Sequence, residues 1–198
     1  KMEQEPVKFF EDLMFDALKA SREALGGYIN CSADDLVFFP NPTTAINTVA
    51  RSLKLDPGDE VLSTNHIYGA LDRSWKYICT EKNLQFIKAD IPFPIQSNEE
   101  FLNCFFNYVT EQTKVIFLSH ITSMTALIFP VKEVIQFAKE KKVLTIIDGA
   151  HVPGHIPLDI KKLDADIYTG ACHKWMCTPK GISFLYVRKE LQEDIHPL

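Results

Sequence analysis

The sequence is short of basic charge: 21 Lys and Arg against 26 Asp and Glu leave a formal net charge of -5. Recognition of nucleic acid or of an acidic membrane surface needs a concentrated basic face, so neither partner is expected. Long apolar runs are missing as well. No stretch reaches the roughly 18 to 20 residues that a bilayer crossing requires, and the opening KMEQEPVKFF lacks the basic-then-apolar layout of a secretory leader. A cytoplasmic protein is the resulting expectation. Cysteines are few and odd in number (Cys31, Cys79, Cys104, Cys172, Cys177), scattered through apolar or helical segments, which points to reduced thiols and core packing rather than a disulfide framework. Cys172 and Cys177 flank His173, but the spacing is not that of a zinc knuckle and no second Cys/His pair supports it, so no metal site is expected. None of the eight glycines forms a G-x-G-x-x-G turn, which removes the dinucleotide-binding reading of a strand–helix chain.

What is present is a core-forming composition. The 198 residues are 46% hydrophobic and 24% charged, as suits one globular domain over residues 1–198, without internal repeat or linker. Residues 6–26 carry apolar positions at helical spacing (Phe10, Leu13, Met14, Ala17, Leu18) and meet a glycine stop at Gly26 and Gly27. After them, runs rich in Val, Ile and Phe alternate with helical stretches. Strands are predicted at 37–39, 60–64, 84–89, 114–119, 143–148, 166–170 and 182–187, with helices at 42–54, 68–82, 98–109 and 130–142. KVIFLS and VLTIID are apolar on both alternating faces, as strands covered by helices on either side must be. The fold class is therefore α/β, with a mostly parallel central sheet and helices on both faces.

In such sheets ligands sit beyond the carboxyl ends of the strands. There the strand VLTIID ends in Asp148, and the strand DIYTG leads through Ala171, Cys172 and His173 to Lys174 and Trp175. A carboxylate after so apolar a strand is costly unless something cationic faces it. An Asp148–Lys174 salt bridge is the plainest account of the two residues, and a lysine snorkelling to the surface is another. A cofactor is the third: pyridoxal phosphate (PLP) needs a lysine amine for a Schiff base and an acid to keep its pyridine nitrogen protonated. A phosphate cradle is available where Asn41, Pro42, Thr43 and Thr44 open a helix, although such residues also serve as ordinary N-caps. Ring-stacking candidates follow the strand EVLST at His66 and Tyr68.

Together these residues resemble the class V aminotransferase-like PLP enzymes of fold type I, nearest to isopenicillin N epimerase-like and cysteine desulfurase-like proteins. The resemblance runs over essentially the whole chain, most specifically through IIDGAHVPGHIPLDI and YTGACHKWMCTPKGISFLYVR. It implies Lys174 as the Schiff-base lysine, Asp148 as partner of the pyridine nitrogen, and His151 as a neutral imidazole near the ring hydroxyl. It further implies Tyr68 on the ring face with His66 as fallback, Thr43, Thr44 and His173 at the phosphate, and Ser123 where many relatives carry an asparagine. Desulfurases have a serine where this chain has Ala171, so the phosphate hydroxyl it supplies is absent unless Thr169 replaces it.

Family members are about twice this length, so the C-terminal small domain and the arginine it supplies for the substrate carboxylate are not expected within these residues. The implied activity is Cα-proton abstraction from an amino acid by Lys174, leading to epimerisation, β-elimination or transamination, in a homodimer. The alternative is a shortened, catalytically inactive PLP-binding or assembly module.

Overall fold

The computed structural model describes residues 2–197. Seven strands form one mixed sheet: β1 (Leu36–Phe39), β2 (Glu60–Thr64), β3 (Gln85–Ala89), β4 (Thr113–Ser119), β5 (Leu144–Asp148), β6 (Ile167–Ala171) and β7 (Ser183–Val187). Their spatial order is β1-β7-β6-β5-β4-β2-β3. The five strands from β6 across to β3 are mutually parallel, and β7 alone runs against its neighbours. Because β1 opposes β7 and β7 opposes β6, β1 points the same way as β6. The carboxyl ends of six strands therefore share one edge.

The helices are α1 (Pro6–Lys8), α2 (Met14–Ile29), α3 (Pro42–Ser52), α4 (Gly69–Glu81), α5 (Asn98–Phe106), α6 (Val131–Glu140) and α7 (Ile160–Leu163). They cover both faces, and the period-two alternation of the central strands divides the core between them. Ile116, Leu118 and Ile147 pack with Phe101, Phe105, Val134 and Ile135. Val115, Phe117 and Ile146 pack on the other face with Ile46, Val49, Leu71 and Trp75. All of these side chains are at most 1% exposed. Each such burial contributes about 1.5–3 kcal/mol, which is what holds the strand ends in register for the site above them.

The first helical arm departs from expectation in two ways. A turn of π-helix, Phe9–Leu13, interrupts it, and α2 continues through Gly26 and Gly27 to Ile29, ending at Asn30 in the left-handed region (φ 53). Gly26 is an interior contact rather than a stop: a Cβ there would lie 2.8 Å from the Cys31 carbonyl oxygen. Cys172 is buried, whereas Cys177 is exposed, which corrects the expectation that both thiols pack in the core. No helix among the described residues is long and apolar enough to cross a membrane.

Candidate active site

Asp148 is the last residue of β5, opposite Ser119 of β4 and Thr169 of β6. It is 5% exposed, and its Oδ1 accepts one hydrogen bond, from the Ala150 N–H at 3.0 Å. That single donor does not replace the water removed, and burial pushes the carboxyl pKa up; the Ala150 bond and the Lys174 charge pull weakly the other way. Lys174 follows β6. Burial pulls its amine below the ordinary lysine value, against the attraction of Asp148. Opposite charges favour ionisation of both groups and desolvation opposes it, raising the Asp148 carboxyl and lowering the amine of Lys174, which is itself an exposed residue at the cleft.

Both side chains line one cleft, together with Asn41, Thr43, Tyr68, Ser119, Ser123, His151 and His173. The cleft sits at the carboxyl edge of the sheet, at the boundary where β4 turns its neighbours from β5 to β2. A larger apolar groove between α2 and β1 is lined by no lysine, histidine or carboxylate and offers no comparable chemistry.

The helix start at Asn41 divides the work of its two threonines. The Asn41 Oδ1 accepts from both the N–H (2.8 Å) and the hydroxyl (3.1 Å) of Thr44, so Thr44 serves the cap and does not line the cleft. Thr43 does line it. Thr44, expected at the phosphate, has its N–H and hydroxyl on the Asn41 side chain in the N-cap.

Tyr68 is 45% exposed and lines the cleft. His66 points elsewhere, with Nε2 on the Ile91 carbonyl at 3.1 Å and its ring edge-on to Phe129. The buried Ile67 between them separates the two directions. Thr169 is fully buried and its hydroxyl donates to the Phe184 carbonyl at 2.7 Å, so it supplies nothing to the cleft. His173 donates from Nδ1 to the Ile182 carbonyl at 2.8 Å, which fixes the ring at the cleft wall.

His151 lies 3.1 Å from the Lys174 amine through Nε2, while its Nδ1 accepts from the Trp175 indole N–H at 3.3 Å. Burial and the neighbouring Lys174 and His155 lower its pKa, favouring the neutral ring. Sequence reasoning missed Leu71, Ile121 and Ser119 on the cleft wall, the last placed there by strand register, and Trp175 as a partner of His151, a contact between separate loops.

The residues fit a PLP group on chemical grounds. A buried, under-bonded carboxylate is what a protonated pyridine nitrogen would satisfy, and a lysine amine in the same cleft, its pKa lowered from the ordinary value, is the group that attacks an aldehyde.

Comparison with known proteins gives the same direction. Isopenicillin N epimerase of Amycolatopsis lactamdurans is 31% identical over 200 residues, covering all of this chain and 50% of the relative. A probable chloroplastic L-cysteine desulfhydrase of Arabidopsis thaliana is 28% identical over 94% of this chain and 42% of the relative. A variant of the cystine C-S lyase C-DES, with glycine covalently linked to its PLP cofactor, superposes with a TM-score of 0.84 at 22% identity, over 92% of this chain and 49% of that one. That likeness is one of fold. The chain spans about half the length of the curated relatives it matches. The family model for class V aminotransferases matches residues 7–198, and this chain belongs to that family.

Proposed function

We propose that residues 1–198 form the cofactor-binding large domain of a PLP-dependent enzyme acting on an amino acid, with PLP attached covalently to Lys174. The observation that carries this reading is the buried Asp148 carboxylate sharing one cleft with the Lys174 amine, Thr43, Tyr68, His151 and His173.

When bound, the cofactor supplies a pyridinium electron sink for negative charge at the amino-acid Cα. Asp148 would hold the proton on the ring nitrogen, with no water competing for its buried carboxylate. The Thr43 hydroxyl and the α3 N-terminus, with His173, would hold the phosphate. Tyr68 would cover one face of the ring, and Ser123 would contact the cofactor directly or through water. Thr44 acts through the Asn41 cap. Lys174, whose amine pKa is lowered from the ordinary lysine value, would be the base that takes the Cα proton.

That step is common to epimerisation, β-elimination and transamination, and the relatives' names span the first two. Among the described residues no arginine lines the cleft, and we infer that the substrate carboxylate is anchored by groups outside them or by a second copy of the chain. A homodimer suits this need, and the exposed Val7, Phe10, Phe15 and Tyr28 of the helical arm support self-association.

The test is an absorption titration with PLP. A visible band that borohydride abolishes, present in the wild type and missing in Lys174→Ala, supports attachment at Lys174. Equal bands in both proteins overturn it; no band in either favours the inactive assembly module.

A further inference from the structure

Trp175 sits half in solvent beside the site, 51% exposed, yet it is tied down on three sides. Its indole N–H donates to His151 Nδ1 at 3.3 Å. Its ring stacks on His155, with centroids 4.4 Å apart and planes 27° apart. Its backbone is seated against Gly154, where the chain turns through a positive φ of 82° and a Cβ would lie 2.6 Å from the Trp175 carbonyl carbon and oxygen. A large aromatic residue at a cleft rim has no packing need for these contacts.

The consequence follows from hydrogen-bond inventory. Indole N–H is a donor only, so His151 Nδ1 must be an acceptor and the proton of the neutral ring must stand on Nε2. Nε2 faces the Lys174 amine at 3.1 Å. Two donors cannot share that contact, so a protonated Nε2 requires Lys174 to accept through its nitrogen lone pair. With the indole donor gone, the opposite arrangement opens: a proton on Nδ1 and a Lys174 ammonium donating to Nε2.

We propose that Trp175 is a positioning residue that fixes His151 as the Nε2–H tautomer, and thereby holds Lys174 as the free amine that reacts with the cofactor aldehyde. The groups facing this pair are Asp148 at the end of β5, which attracts the ammonium, and His155, which disfavours charge on His151. Neither contacts the proton that Trp175 orients. The inference rests on the proposed function for its meaning, but its first test does not.

That test is the 15N chemical-shift pattern of the His151 ring in cofactor-free protein, compared among wild type, Trp175→Phe and His155→Phe. Phenylalanine at 175 keeps the stack on His155 and removes only the donor; phenylalanine at 155 keeps the stack and the donor. The expected result is an unprotonated Nδ1 and protonated Nε2 in the wild type and in His155→Phe, with Nδ1 protonation appearing in Trp175→Phe. The second readout is the rate at which PLP attaches at fixed pH, which should fall about tenfold in Trp175→Phe for each pKa unit the amine regains, and hold in His155→Phe. A wild-type ring protonated on Nδ1, or a Trp175→Phe pattern identical to wild type, overturns the proposal. Failure of PLP to attach to wild type while the tautomer pattern is as expected sinks the functional reading alone.

Discussion

Asp148→Asn separates what the fold needs from what the cofactor needs. The carboxylate is 5% exposed with one backbone donor, and burial raises its pKa, so its ionised form opposes folding of the cofactor-free chain. Asparagine keeps an oxygen for the Ala150 N–H and presents its NH2 group to the cleft, where water can serve it. Relieving a poorly satisfied buried polar group is worth on the order of 1–3 kcal/mol. In a chain of this size each kcal/mol moves Tm by about 2–4 °C.

The sign in pH is definite. A carboxyl whose folded pKa lies above its unfolded one loses stability as pH rises from the unfolded value of 3.8 through the folded value. The gain from Asp148→Asn is thus full above that window and vanishes below it. Loss of the charge-assisted bond to the ring nitrogen should meanwhile weaken PLP binding by about 1.5–3 kcal/mol, roughly 10- to 140-fold. Urea denaturation with and without PLP reads both effects. An apoprotein that Asp148→Asn destabilises at neutral pH would refute the reasoning, since Asp148 would then be a fold residue.

Other outcomes follow from the same geometry. Thr43→Val should weaken PLP binding about 10-fold or more, as loss of a hydrogen bond to a charged group does, while Thr44→Val should leave affinity unchanged and lower stability slightly; parallel absorption titrations distinguish them. Gly154→Ala places a side chain at φ 82° against the Trp175 backbone and should cost about 1–3 kcal/mol with slowed PLP attachment, read by denaturation and stopped-flow absorbance. The half-buried His120 has its Nδ1 3.0 Å from the Tyr168 hydroxyl, and desolvation lowers its pKa from 6.5 to about 4. Because the unfolded chain binds its proton first, stability should fall as pH drops from 6.5 to about 4, by about 3 kcal/mol; denaturation in an Asp148→Asn background isolates this slope, which His120→Phe should flatten.

The sheet was legible because its central strands are apolar on both faces, a pattern only doubly covered strands sustain, and because turn residues bound each run. Asp148 and Lys174 stood out for the same reason: charged groups just after such strands need a cause. What sequence could not supply was direction. His66 and Tyr68 are two residues apart in one loop, and only the inward Ile67 and the Ile91 carbonyl turn the histidine away. Thr43 and Thr44 look equivalent until the Asn41 cap takes both polar groups of the second. Gly26 reads as a helix stop because close approach to the Cys31 carbonyl is a tertiary fact. The Trp175–His151 contact joins two loops that have no local sequence relation.

Peptide mapping by mass spectrometry of protein incubated with PLP and reduced with borohydride tests the central claim most directly. The account predicts one pyridoxyl group, on the peptide carrying Lys174, at stoichiometric occupancy. Label spread over surface lysines, or concentrated on any other lysine, would contradict it.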